Sequence, residues 1–304
     1  MRSHDLVPIT ACPVVLPALN RYVGALATAP PSSPVRRILD EARHIVVRYA
    51  RATGEAVLAI STQRALQNDR SVVTAVRSRF HDAVGIVNSF EPRSTNAILG
   101  SRQRLLDGRA EIEEEIAGIR YRVSTASFFQ INPEIVGRIF ETIERELLPA
   151  RCVVDLYSGM GTFSLFFAKR GTQVVGVEEN AHATVEALAN AKLNGLADRA
   201  IFRRKRVEAF VTSQAGRDAF SKADLVFLDP PRKGCDESAL RTLSRAGVPR
   251  IGYLSCDPAT LARDLKTLSA NGYTISSVQP FDMFPQTGHV EALAILKKAP
   301  EDVH

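Results

Sequence analysis

From about residue 119 onward, short apolar runs alternate with stretches whose apolar residues recur every three or four positions. The runs 152–157, 173–178, 200–202, 224–229 and 250–255 read as buried strands. The stretches 162–169, 181–194, 207–214, 237–246 and 259–271 read as helices. Strand–helix alternation of this kind predicts a parallel sheet with helices on both faces. Asn132-Pro133 opens a further helix, because Asn caps and Pro is favoured at the first helical position. That helix is expected to run to about Leu148 and to stop at Pro149. Two strands, 274–279 and 290–298, close the chain, and their short connection predicts that the last one runs antiparallel.

Residues 1–118 follow a different pattern and read as a mixed α+β domain, which leaves 119–304 as a second, α/β domain. In the first, 36–52 has amphipathic spacing, 56–60 reads as a strand, and 71–79 and 83–89 read as further elements of a sheet layer. Ala29-Pro30-Pro31-Ser32-Ser33-Pro34 is a loop, Asp107-Gly108 a turn, and 116–123 a returning strand.

Composition changes this picture little. The chain has 304 residues, 45% apolar and 24% charged, as expected of a soluble globular protein of about two domains. No apolar run is long enough to span a bilayer. The early stretch 6–19 is broken by Pro8, Pro13 and Pro17 and lacks the form of a secretory signal, so a cytoplasmic protein is expected. The four cysteines, Cys12, Cys152, Cys235 and Cys256, form no CxxC pair, which argues against a zinc site. Charge is more informative. Up to Ala110 there are 15 Arg, no Lys and 8 acids, a net +7, whereas the remainder carries 24 basic and 25 acidic residues, a net −1. Guanidinium groups bind phosphate bidentately. A merely solvated arginine-rich face fits the same count.

The chemistry concentrates at strand ends. Asp155-Leu156-Tyr157-Ser158-Gly159-Met160-Gly161-Thr162-Phe163 links the first strand of the α/β domain to a helix, and Gly159 and Gly161 let the backbone turn tightly. Glu178 ends the next strand, where a carboxylate can accept from both hydroxyls of a ribose. A dinucleotide fingerprint wants a third Gly where Ser164 stands, which favours S-adenosylmethionine over NAD. A plain strand-to-helix turn remains the bland alternative. Asp229-Pro230-Pro231-Arg232 leaves the fourth strand stiffly extended. Amino methyltransferases usually place an aromatic after the two prolines, so Arg232 argues against amino-group methylation.

Ser255-Cys256-Asp257-Pro258 sits where a strand ends and a helix begins, the rim at which open α/β sheets bind ligands. Methylating carbon-5 of a pyrimidine needs a thiolate to add at carbon-6, a methyl donor, and a base to remove the carbon-5 proton. Cys256 suits the first role and Glu291, opening the antiparallel strand, the third; the strand directions put both on one rim. The rival thiol is Cys235, in a loop and equally readable as an idle surface cysteine. Glu291 is also readable as a solvated strand-end carboxylate, and His289 as a structural histidine.

The doubly wound sheet with an antiparallel last strand resembles the class I methyltransferase fold. Five motifs in order resemble the bacterial S-adenosylmethionine-dependent RNA 5-methyluridine (uracil-5) methyltransferases, of the type that acts on 23S ribosomal RNA. They are Phe128-Phe129-Gln130-Ile131-Asn132-Pro133, the glycine loop, Asp229-Pro230-Pro231-Arg232, Ser255-Cys256-Asp257-Pro258, and Phe284-Pro285-Gln286-Thr287-Gly288-His289-Val290-Glu291. Cys12-Pro13-Val14 and Thr95-Asn96-Ala97-Ile98-Leu99-Gly100 look like that family's central domain. The resemblance implies Cys256 as nucleophile and Glu291 as proton acceptor. It implies contacts to the methyl donor from Gln130, Tyr157, Gly159, Gly161, Thr162, Glu178 and Asp229. The target uridine would be flipped out of its stack, and the N-terminal third would grip phosphates.

The sequence departs from the family in two places. No N-terminal TRAM barrel is visible, and Cys12 resembles the last of four iron–sulfur ligands whose other three are missing. One cysteine cannot hold such a cluster, so none is expected. A monomer acting on 23S ribosomal RNA, with no metal and no membrane partner, is the leading expectation. Transfer RNA as the substrate is the alternative within the class. An RNA-binding or assembly protein with a residual methyltransferase fold, and a small-molecule methyltransferase, are the competing classes.

Overall fold

The computed structural model describes residues 8–67, 69–93 and 97–299. Thr95 and Asn96 of the central-domain motif, and Leu6 and Val7 of the early apolar stretch, lie outside the described residues. The chain divides into two compact units, Met1–Glu115 with Arg122–Ala126, and Ile116–Tyr121 with Ser127–His304.

The first unit begins with helices α1 (Pro17–Ala27) and α2 (Pro34–Glu41). Strands β1 (His44–Tyr49) and β2 (Ala56–Thr62), helix α3 (Asp69–Arg79), and strands β3 (Ala83–Phe90) and β4 (Arg102–Gly108) follow. They form a four-stranded sheet in the order β1-β2-β3-β4, with β2 and β3 parallel and both outer pairs antiparallel. The structure corrects the sequence expectation twice here. Residues 36–52 are a helix end and a strand rather than one amphipathic element, and 71–79 is helical rather than part of the sheet layer. In α3, Val72, Ala75 and Val76 form a buried stripe that only helical spacing aligns, with Asp69 in the first turn. Tyr22 stacks on Phe80 at 4.9 Å within the core of this unit. Five of the arginines here pair with acids of the same unit, Arg21, Arg36, Arg77, Arg104 and Arg109 with Asp82, Asp40, Asp107, Asp69 and Glu55, which leaves the net excess of positive charge unchanged.

Strands β5 (Glu111–Ile116) and β6 (Ile119–Ser124) form a two-stranded ribbon. The second unit continues with α4 (Pro133–Leu147), β7 (Cys152–Leu156), α5 (Thr162–Lys169), β8 (Gln173–Glu178) and α6 (Ala181–Leu193). Next come β9 (Ala200–Arg204), α7 (Val207–Val211), α8 (Gln214–Phe220), β10 (Leu225–Leu228) and α9 (Glu237–Ala246). The chain closes with β11 (Arg250–Ser255), α10 (Pro258–Ala270), β12 (Tyr273–Phe281) and β13 (Glu291–Lys298).

The sheet order is β12-β13-β11-β10-β7-β8-β9, parallel from β11 to β9, with β13 antiparallel to both neighbours. This is the class I methyltransferase arrangement. Alternate residues explain its two faces. Val154, Leu156, Val226, Leu228, Ile251 and Tyr253 point into one core with Leu240, Leu243, Leu261 and Leu265 of α9 and α10. Phe227 faces the other way, meeting Phe163 at 4.7 Å and Phe167 at 5.6 Å. No helix among the described residues is long and apolar enough to cross a membrane.

Candidate active site

The rim at the carboxyl ends of β7, β8, β10 and β11 is also the amino end of β13. Ser255 pairs with Ala292 in the β11–β13 register, so one further step sets Cys256 opposite Glu291. The local sequence explains why Cys256 is left free. Ser255 Oγ accepts from Asp257 N–H at 3.2 Å, and Asp257 Oδ1 accepts from Thr260 N–H at 2.8 Å as the cap of α10. Both flanking side chains are therefore spent on the turn. The thiol between them is half-buried.

Two carboxyls bear on this thiol, Glu291 and Asp229, and a third, Asp155, bears on Asp229. Glu291 is 2% exposed, and burial pushes its carboxyl up to about 7. Asp229, just beyond β10, is held well above the usual carboxylate range by burial and then by the charges of Glu291 and Asp155. Gln130 Nε2 donates to Asp229 Oδ2 at 3.3 Å and pulls in the opposite direction. Asp155, fully buried in β7, is pushed up to about 7 by burial, opposed by a hydrogen bond from Ser164 Oγ. That bond explains the serine where a dinucleotide fold would place glycine. Burial, then Glu291 and Asp229, push the Cys256 thiol up, and Arg232 draws it down.

The glycine loop lies on the same rim. Gly161 caps α5 with φ 89°, and a Cβ there would lie 3.0 Å from Phe202 and 3.4 Å from Ala187. Gly159 has φ 54°, yet a Cβ there would meet nothing within 4 Å, so its outer side is open. Glu178 holds the loop, accepting from Gly159 N–H at 3.0 Å and Asn180 N–H at 2.7 Å. A carboxylate has about four acceptor positions, so capacity for a ribose remains. Asp155 Oδ1 and Ser158 Oγ are buried beside the loop without a partner among the described residues. An open glycine, a carboxylate with spare acceptors and two orphaned polar atoms fit a polar nucleoside ligand.

Two expected contributors stand differently. Tyr157 takes φ 63° and lies half-buried against the core of the unit, its hydroxyl beside Cys235. Thr162 is buried at the first turn of α5, and its carbonyl accepts from Tyr121 O–H at 3.0 Å. Cys235 is not the surface thiol the sequence allowed. It is 7% exposed, its N–H donates to Asp264 Oδ2 at 2.9 Å, and burial pushes its thiol up to about 12. Asp155 and Arg232 gained no electrostatic role from the sequence. A lone charge inside the apolar run Cys152-Val153-Val154-Asp155-Leu156 was the signal for the first. Among the described residues, no three His, Cys, Asp or Glu side chains group as a metal site. Cys12 is instead bracketed by Asn20, which bonds both its N–H and its carbonyl.

The family model for tRNA (Uracil-5-)-methyltransferase matches residues 52–299. An uncharacterised RNA methyltransferase of Halalkalibacterium halodurans is 33% identical over 306 residues, covering 97% of this chain and 66% of that protein. One from Bacillus cereus is 38% identical over 259 residues, covering 84% of this chain and 56% of that protein. The chain thus spans between about half and two thirds of the length of these curated relatives. The crystal structure of Pyrococcus abyssi tRNA (uracil-54, C5)-methyltransferase, in complex with S-adenosyl-L-homocysteine, superposes with a TM-score of 0.79 at 27% identity. That superposition covers 96% of this chain and 70% of the other. Pyrococcus horikoshii TYW2, at TM-score 0.54 and 15% identity, shares the fold.

Proposed function

The chain belongs to the tRNA (uracil-5-)-methyltransferase family, and from that premise we propose that it methylates carbon-5 of a uridine in RNA through a covalent adduct on Cys256. The observation that carries the reading is the placement of Cys256 opposite Glu291 on the rim that also holds Asp229 and the glycine loop. The residues that would hold S-adenosylmethionine are Gln130, Tyr157, Gly159, Gly161, Thr162, Glu178 and Asp229. The donor, when bound, supplies an electrophilic methyl group.

The chain's own groups do the rest. Cys256 releases its proton to solvent as its sulfur adds to carbon-6 of the uracil, which makes carbon-5 nucleophilic. After methylation, Glu291 takes the carbon-5 proton as the carbon-6–sulfur bond breaks, and Cys256 leaves as a thiolate that regains its proton from solvent. A carboxyl held near 7 suits that task, because a base is most effective when its pKa lies near the working pH. Asp229 lies on the same rim, its carboxyl held above the usual carboxylate range, and Gln130 orients it through the hydrogen bond to Oδ2. The arginines of the N-terminal unit would contact RNA phosphates.

Among RNA classes we propose 23S ribosomal RNA, supported by the resemblance of Cys12-Pro13-Val14 to ribosomal members of the family. Transfer RNA is the second reading, favoured by the substrate printed for the Pyrococcus abyssi enzyme. Incubation of unmodified 23S ribosomal RNA and transfer RNA transcripts with labelled methyl donor tests both. 5-methyluridine is expected in the nuclease digest, and the labelled transcript identifies the substrate class. A folded protein yielding none would overturn the proposal.

Both glycines hold left-handed backbone, so either alanine is expected to cost stability, but only at Gly161 does the added methyl also meet a packed side chain. Gly159→Ala adds a methyl group into the open side of the loop, so S-adenosylhomocysteine affinity by calorimetry should fall at least tenfold. Gly161→Ala presses on Phe202 at a left-handed backbone position and is expected to destabilise the fold by roughly 1–2 kcal/mol. Thermal unfolding checks the second.

A further inference from the structure

Charged side chains from three elements bear on Cys256: Glu291 from β13, Asp229 beyond β10, and Arg232 in the loop that follows. Arg232 also acts on Asp257, the cap of α10. Its side chain is exposed and long, so its charge stays near the thiol only if the backbone beneath it is held.

The first turns of α10 hold that backbone at four points. Thr260 Oγ1 donates to the Arg232 carbonyl at 3.1 Å. Arg263 Nη2 donates to the carbonyls of Lys233 at 2.9 Å and Cys235 at 3.4 Å. Asp264 Oδ2 accepts from Cys235 N–H at 2.9 Å. Between these anchors lies Gly234, with φ 74°. A Cβ there would fall 2.3 Å from Thr260 Cγ2, 2.5 Å from Asp264 Oδ2 and 2.6 Å from Arg263 Nη2. Steric closeness and hydrogen bonding thus converge on the same three side chains. The Asp264 carboxylate is itself fixed, being 2% exposed, paired with Arg263 at 2.7 Å, and bonded by Tyr253 O–H at 2.6 Å. Tyr253 lies in β11, three residues before Cys256. The buried Asp264–Tyr253 pair fixes this geometry from below, and the half-exposed Arg263 side chain lies across it.

We propose that Thr260, Arg263 and Asp264 are positioning residues that clamp the 231–235 loop and so hold the guanidinium of Arg232 beside Cys256. The helix that starts after the reactive thiol then also places the cation that faces it. This rests on reading Cys256 as the nucleophile, but its test reads the thiol directly and needs no methyl transfer.

The experiment is the pH profile of Cys256 alkylation by iodoacetamide in the whole chain, resolved from the other cysteines by peptide mass spectrometry. Arg232→Gln is expected to move the profile up by about half a pH unit, a rate about threefold lower below the midpoint. Thr260→Val and Gly234→Ala should shift it the same way by less, with circular dichroism unchanged. Thr260→Val should add nothing in the Arg232→Gln background. Should Gly234→Ala fail to fold, Thr260→Val, which removes one hydrogen bond, decides alone. A wild-type profile in Arg232→Gln or in folded Thr260→Val would overturn the clamp, as would full additivity in the double variant. Expected shifts in a protein that methylates no RNA would leave the clamp standing and sink the methylation reading.

Discussion

Cys256→Ala is expected to abolish 5-methyluridine formation and the covalent complex with 5-fluorouridine RNA, whereas Cys235→Ala should keep both. In the fluorinated substrate, carbon-5 carries no removable proton, so an adduct once formed stays. Loss of an attacking group that no neighbour can replace lowers turnover by at least about four orders of magnitude. Cys235 is the natural control. Its thiol is buried against Tyr157 and Tyr253 and pushed up to about 12, so it neither ionises nor reaches the rim. Truncating it removes one sulfur from a packed core and should cost roughly 1 kcal/mol of stability. Denaturing gel shift of labelled 5-fluorouridine RNA gives the readout. An adduct surviving in Cys256→Ala would overturn the assignment of the nucleophile.

The catalytic half was legible because its local signals agree with its fold. Residues 174–177 and 251–254 are unbroken apolar runs inside their strands, and Asn132-Pro133 and Asp257-Pro258 announce their helices with a capping side chain and a first-turn proline. Strand direction alone put Cys256 and Glu291 on one rim. The N-terminal half resisted for physical reasons. Val72, Val73, Thr74 and Val76 are β-branched, which favours strand, yet the burial of Val72, Ala75 and Val76 on one face makes the segment a helix. Arg102-Gln103-Arg104 is polar because β4 is an edge strand, so no apolar run marks it. In the site, the sequence could bring Cys256 and Glu291 to one rim but could not give the electrostatics there. The push of Glu291 and Asp155 on Asp229 joins residues far apart in sequence, and so does the bond from Cys235 to Asp264.

Glu291→Gln is expected to move activity and stability in opposite directions. Without the carboxylate, carbon-5 keeps its proton after methyl transfer, so turnover should fall by about 10²–10⁴ and a methylated adduct with ordinary uridine RNA should accumulate. In the wild type, turnover should rise with pH to a plateau above about 7, as Glu291 ionises. The same ionisation weakens the fold. Burial raises this carboxyl from 4.5 to about 7, so between those values the folded chain binds a proton that the unfolded chain has released. Wild-type stability therefore falls as pH rises through that window, and the loss is complete above about 7. Glutamine has no charge to bury. The variant should match the wild type near pH 4 and exceed it at pH 8 by up to about 3 kcal/mol. Relief of Asp229, which Glu291 also pushes up, adds in the same direction. Urea unfolding of both proteins across pH 4–8 measures the gap. A gap that fails to widen with pH would mean that Glu291 is not the buried, destabilising base this site requires.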